Sequence, residues 1–164
     1  RHTHVFGNDI AKTSDEVLNN WDRIKNEEKN LKNISESMES IPNHLPALMR
    51  SQKIQEKASR VGFDWDNIDD ALKKVYEELS EFEEIMSKDE QKDRIKEEIG
   101  DILFAVVNIA RFCNVDAEDA LRLTNKKFIR RFSYIEQNAS NIGMKLDEMS
   151  LKEMDKFWEE AKKI

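Results

Sequence analysis

The chain has 164 residues, with 34 Asp and Glu against 27 Lys and Arg and a net charge of -7. That is long enough for one domain with a real core, or one domain with an extension, and its acidity argues against nucleic acid as a partner. A charged fraction of 37% with four Gly and two Pro is the composition of long helices, so an all-α fold is expected. A single cysteine, Cys113, excludes a disulfide framework and is expected to be a small core residue. No signal peptide is visible, and the longest apolar run, Ile102 to Ala110, is interrupted by Asn108 and too short to span a bilayer. A cytoplasmic protein without a membrane partner is therefore expected. The first residue is Arg1 rather than Met, which suggests a piece of something longer.

Residues 1–13, RHTHVFGNDIAKT, show no clear period and read as a connecting segment; His2 and His4 there are more simply linker residues than metal ligands. Ser14 is placed to cap a helix running to about Lys32, with Val17, Leu18, Trp21, Ile24 and Leu31 on its apolar side. Residues 33–45 read as a polar loop leading to Pro46, which suits a helix start. A helix to about Val61 follows, with Leu48, Met49, Ile54 and Ala58 inward and Gly62 as its C-terminal cap. Residues 1–45 thus form a connector with an N-terminal helix, and residues 46–164 the main domain.

Asp66 and Asp69 resemble a capping pair for the next helix, whose apolar stripe is Ile68, Leu72, Val75, Leu79, Phe82 and Met86. After a short polar break at Ser87–Lys92, a second helix carries the stripe Ile95, Ile99, Ile102, Val106, Ile109 and Cys113. So brief a connection makes the two helices antiparallel neighbours. A further helix from Asp116 to about Gln137 points Leu121, Phe128, Phe132 and Ile135 inward, and Lys127 and Arg131 project from one side. Past Gly143, Ser150 and Glu153 form a capping box for a last helix whose inward residues are Leu151, Met154, Trp158 and Ala161, with Lys162 one turn beyond Trp158.

The antiparallel pair carries two acidic clusters, Glu77-Glu78-x-x-Glu81 and Glu97-Glu98-x-x-Asp101. Residues three apart share a helix face, so Glu78 with Glu81 and Glu98 with Asp101 each present two carboxylates in one direction. With 34 acidic residues, roughly seven such pairs arise by chance, and a solvated acidic face is the plain alternative. Their position relative to the apolar stripes separates the two readings. Glu78 falls about 80° from the centre of its stripe, a boundary position, whereas Glu98 falls inside its own and Asp101 at the edge. The residues that follow, ILFAVVNIA, are expected to be buried, and a carboxylate aimed at a core must be paired, protonated or bound to a metal. No histidine lies on these helices, so the ligands are all oxygen and favour Mg²⁺ or Mn²⁺. Such an ion usually completes its coordination with water and phosphate. Lys127, Arg131 and Lys162 could neutralise phosphates and Trp158 could stack on a base, against the plain readings of a solvated basic face and a core aromatic.

The pattern EExxE then ExxD, continued as EEIGDILFAVVNIAR, NKKFIRRF and a terminal FWEEAK, closely resembles the MazG family of nucleoside triphosphate pyrophosphohydrolases. RHTHVFG and LPALMRSQKIQEKASRVGFDW are similar to the connector and opening helix of the second, C-terminal domain in the tandem form of that family; Thr3 departs from its usual proline. The resemblance implies an all-α, MazG-like four-helix bundle, a homodimer, and Mg²⁺-dependent cleavage of nucleoside triphosphates between the α and β phosphates. It implies Glu78, Glu81, Glu98 and Asp101 as metal ligands, with Asn125, Lys127, Arg131, Trp158 and Lys162 meeting the nucleotide. Asn125 lies on an apolar stripe, as a buried contact to substrate or to backbone. Glu77 is a candidate to orient the attacking water through its adjacency to Glu78. The alternatives are a regulatory module that binds nucleotide without turnover and a purely structural bundle.

Overall fold

The computed structural model describes residues 33–87 and 92–164. The expectations for the connector, for His2 and His4 and for the Ser14–Lys32 helix lie outside them. Among the described residues the secondary structure is helical throughout: α1 (Ile34–Glu39), α2 (Ala47–Ser59), α3 (Ile68–Ser87), α4 (Lys92–Phe112), α5 (Ala117–Asn141), a 3₁₀ turn (Leu146–Glu148) and α6 (Leu151–Ala161). They fall into two compact units that divide after Ala117.

In the first unit α3 packs against α4, α4 against α2, and α2 against α1. Helix α1 stands in what reads as a polar loop. Its start is set by Asn33, whose side-chain oxygen accepts from the Glu36 backbone N–H at 2.8 Å while its amide donates to the Glu36 carboxylate at 3.2 Å. Ser37 is buried and accepts from the Lys57 ammonium at 2.7 Å, which ties α1 to α2. Helix α2 ends through Gly62, whose φ of 83° lets the Phe63 N–H turn back to the Ala58 carbonyl at 3.1 Å. The cap of α3 is one residue later than the aspartate pair suggests: Asn67 accepts from the Asp70 N–H at 3.0 Å and donates to its carboxylate at 2.8 Å. Asn114, with φ 54°, closes α4 in the left-handed region that asparagine tolerates. Gln52 of α2 fixes the chain beyond it, donating to the Val115 carbonyl at 3.3 Å and accepting from the Ala117 N–H at 3.0 Å.

The buried faces are not those of the apolar stripes. On α3 the buried residues are Ala71, Glu78 and Ile85, spaced by seven, whereas Leu72, Leu79 and Met86 are exposed. On α4 Ala105 and Val107 are buried, while Ile99, Leu103, Phe104 and Val106 are exposed, so the run ILFAVVNIA is only partly covered within one chain. Cys113, expected in the core, is exposed because α4 has already ended one residue before it.

Helix α5 begins at Ala117, the last residue of the first unit, and in the second unit it ends through Gly143, at φ 73°, with the Met144 N–H bonded to the Ala139 carbonyl at 3.0 Å. The capping box of α6 forms as read: Glu153 N–H to Ser150 Oγ at 3.3 Å and Ser150 N–H to the Glu153 carboxylate at 2.8 Å.

The buried face of α3 and its apolar stripe differ in what truncation should cost. Ile85→Ala should cost about 2–5 kcal/mol, as truncation of a buried isoleucine does, and Met86→Ala less than about 1 kcal/mol. Urea denaturation of both variants checks this; a larger loss at Met86 would restore the stripe as the core face.

Candidate functional site

Glu78 on α3 and Glu98 and Asp101 on α4 each offer a carboxylate oxygen, all lying within 4.8 Å of one another. The α3–α4 contact that buries Ala71 and Ile85 also carries Glu78, which is only 6% exposed; Glu98 is half-buried and Asp101 exposed. Glu98 Oε2 is buried and has no hydrogen-bond partner. Its carboxyl is held above the usual carboxylate range, first by desolvation and then by the negative charges of Glu81, Asp101 and Glu78, with Arg94 pulling weakly the other way.

A buried carboxylate oxygen without a donor, facing two other carboxylates, is costly unless a cation or a proton joins it. The donor set is three carboxylates and nothing softer, which fits a hard divalent ion such as Mg²⁺ or Mn²⁺. Glu81 stands exposed and outside this close triad, although its charge reaches Glu98. Glu77 is exposed and is held by Lys74, whose ammonium lies 2.7 Å from a Glu77 oxygen and 2.7 Å from a Glu78 oxygen. Those two bonds hold the Lys74 ammonium well above the usual lysine range. Part of the triad's negative charge is thus already balanced from within α3.

Glu78 and Asp101 also line a cavity of about 610 Å³ that no motif in the sequence announces. Its apolar wall includes Ile54, Ala58 and Phe104, with Phe63 and Trp65 from the link between α2 and α3. Its polar groups are Gln55, Asp64, Asn108 and Arg111, together with Lys74. Arg111 donates to Asp64 at 2.9 Å through Nη1, and to Asn108 Oδ1 through Nε at 2.9 Å and Nη2 at 2.8 Å. Two of these residues leave a mark in the sequence: Asn108 breaks the longest apolar run, and Lys74 precedes the glutamate pair by three and four positions. Gln55 leaves none.

The second unit gathers another part of the expected set. Trp158 packs against Phe128 with ring centroids 5.1 Å apart, Phe128 stacks on Phe132 at 6.1 Å, and the Arg131 guanidinium lies 5.4 Å from the Trp158 ring centre. Arg131 Nε is buried without a hydrogen-bond partner. Lys162 pairs with Glu159. Asn125 and Lys127 are exposed on α5 and do not join that cluster among the described residues.

Residues 67–135 match the model of the MazG nucleotide pyrophosphohydrolase domain. The chain is 41% identical over 167 aligned residues to a nucleoside triphosphate pyrophosphohydrolase of Escherichia coli, covering 99% of this chain and 62% of that protein. It is 41% identical over 162 residues to the nucleoside triphosphate pyrophosphohydrolase/pyrophosphatase MazG of Thermotoga maritima, covering 99% of this chain and 60% of that one. It is also 48% identical to the uncharacterized protein YabN of Bacillus subtilis, spanning 33% of its length. The chain therefore spans about three fifths of the length of the first two relatives and a third of the third. The matched stretch, residues 67–135, includes the Glu78, Glu98 and Asp101 triad.

Proposed function

We propose that this chain is a Mg²⁺-dependent nucleoside triphosphate pyrophosphohydrolase, with Mn²⁺ able to substitute, that releases nucleoside monophosphate and pyrophosphate. The observation that carries the proposal is the carboxylate triad of α3 and α4 with the buried, unpartnered Glu98 Oε2. It is supported by the names of the two relatives at 41% identity. Glu78, Glu98 and Asp101, with Glu81 beside them, would hold the ion. When bound it supplies Lewis-acid charge to the phosphates and lowers the pKa of a coordinated water. Lys74 fixes the carboxylates of Glu77 and Glu78 before any ligand arrives. Glu77, so held, would orient a water for attack on the α phosphorus; the bond to the oxygen bridging the α and β phosphates breaks, and pyrophosphate leaves with that electron pair. Asn125, Lys127, Arg131, Trp158 and Lys162 would meet the nucleotide.

The reading extends to assembly and setting. A homodimer would cover the exposed Ile99, Leu103 and Val106 on α4. The chain would be the second unit of a tandem form, by the resemblance of its connector and opening helix. No helix among the described residues is long and apolar enough to cross a membrane, in keeping with a cytoplasmic enzyme.

Pyrophosphate and nucleoside monophosphate should be the products by chromatography. Diphosphate with orthophosphate would sink the assignment, and tight nucleotide binding without release would leave the regulatory alternative. Glu98→Gln and Asp101→Asn should each lower turnover at least about a hundredfold, since metal ligation contributes several kcal/mol to charge stabilisation. Glu84→Gln, an exposed position on α3, should keep the parental rate.

Stability should respond to the same charges. Mg²⁺ should raise the melting temperature, by the equivalent of about 2.7 kcal/mol at a hundredfold excess over Kd, and Glu98→Gln should abolish that response. Without metal, a carboxyl whose folded pKa exceeds its unfolded one keeps its proton in the native state after the unfolded chain has lost it. Stability is then lost as pH rises through that interval. Glu98→Gln should accordingly melt above the parent at about pH 8, with the gap closing towards about pH 4, near the ordinary glutamate pKa. A variant that melts well below the parent throughout would make Glu98 a structural residue.

The mass in solution, by light scattering at micromolar concentration, should be twice the 19.3 kDa of one chain; a monomer would remove the dimer from the proposal.

A further inference from the structure

Lys74 stands on α3 three and four residues before Glu77 and Glu78, and its ammonium lies 2.7 Å from an oxygen of each. A lysine placed ahead of a glutamate at that spacing is the poorer order for steadying a helix, because the two charges then oppose the helix dipole. Its neighbour Lys73 has the better order and pairs with Asp70, three residues earlier, at 2.7 Å. What distinguishes the Lys74 contact is therefore not its service to α3 but the carboxylate that it holds.

Glu78 belongs to the triad, and its side chain is only 8% exposed, against 55% for Glu77. A carboxylate so placed needs a partner. Lys74 supplies one on a flexible four-carbon stem that has solvent on one side to move into. An ion seated among Glu78, Glu98 and Asp101 would draw on the same carboxylate. Mg²⁺ sits about 2.0–2.1 Å from its oxygen ligands, closer than an ammonium approaches, and carries twice the charge. Two cations on one carboxylate repel, so each weakens the other's hold. Lys74 has somewhere to retreat, since its bond to Glu77 remains when the one to Glu78 is given up.

We propose that Lys74 is an intramolecular competitor of the metal: it holds Glu78 until a divalent cation arrives, then yields it while keeping Glu77, and so lowers the affinity of the triad for that cation. The buried carboxylate is satisfied in the metal-free protein, and the concentration of free ion at which the triad fills is set from within α3. The inference rests on the reading of the triad as a metal site and adds what tunes its affinity.

The test is a calorimetric titration of the whole, metal-free chain with Mg²⁺, without nucleotide. Lys74→Met should bind Mg²⁺ roughly tenfold more tightly than the parent, the effect of taking one charged hydrogen bond out of competition. Lys74→Arg restores the charge and should bring Kd back towards the parental value. Lys73→Met removes the same charge from the same helix at the exposed Asp70 pair and should change Kd less than about twofold. Lys74→Gln, neutral and still a hydrogen-bond donor, replaces Lys74→Met should that variant fail to fold. Melting reports the competition from the other side. Lys74→Met should melt below the parent without metal, and the gap should narrow as Mg²⁺ approaches saturation, because the parent has then also lost its bond to Glu78. An unchanged Kd with a constant gap makes Lys74 a structural cation, and weaker binding in the neutral variants makes it a support that holds Glu78 for the ion. Either result overturns the proposal while leaving the metal site in place. Mg²⁺ binding to neither the parent nor the neutral variants overturns the metal reading of the triad, and the competition with it.

Discussion

The arrangement depends on a repulsion. Glu78, Glu98 and Asp101 bring carboxylate oxygens within 4.8 Å of one another at the contact of α3 with α4. Two unit charges about 4 Å apart repel by about 4 kcal/mol at an effective dielectric of about 20. Such an arrangement persists only because other contacts of the same two helices outweigh it. Ala71, Ile85, Ala105 and Val107 supply the burial on α3 and α4, and Gln55 binds α2 to the α4 backbone at Phe104. Lys74 relieves the repulsion from one side, and the Glu98 carboxyl relieves it by tending to keep its proton. The result is a preformed but strained anionic cluster, the kind of arrangement that a bound cation relieves.

Much of this was legible in the sequence because it is local. Helix periodicity identifies α2 to α6 to within a few residues, and the three-residue spacing puts the acidic side chains on shared faces. The Ser150 and Glu153 capping box needs only four consecutive residues, and it forms. Which side of a helix meets which neighbour is a different kind of information. The stripe through Leu72, Leu79 and Met86 is a true apolar line, yet the contact within the chain runs through Ala71, Glu78 and Ile85. Apolar periodicity marks surface that can be buried without saying what buries it. The same limit explains the half-covered run on α4. Helix α1 is hidden for another reason: four of its six residues are polar, so it shows no apolar period, and the Asn33 cap and the buried Ser37 mark its place instead.

The cavity was the least legible part. Gln55 meets Phe104 across 49 positions and Asp64 meets Arg111 across 47, and no spacing rule connects residues so far apart. Glutamine in a charged amphipathic helix reads as surface, and only its packing on α4 makes it a buried acceptor. Asn108 gave a hint as the polar residue inside an apolar run, but its role depends on the guanidinium one turn later.

That Asn108 is oriented by Arg111 has an evolutionary consequence. An amide carries a donor and an acceptor at nearly the same size, and what it shows to a ligand is decided by whatever fixes its other end. Exchanging Arg111 for a side chain that accepts rather than donates would let the Asn108 amide turn over, presenting oxygen where nitrogen now stands. A lineage could in this way change the hydrogen-bonding character of the cavity wall at Asn108 through a substitution at its neighbour, while the asparagine itself stayed the same. Comparing such cavities one position at a time would then miss how the pair acts together.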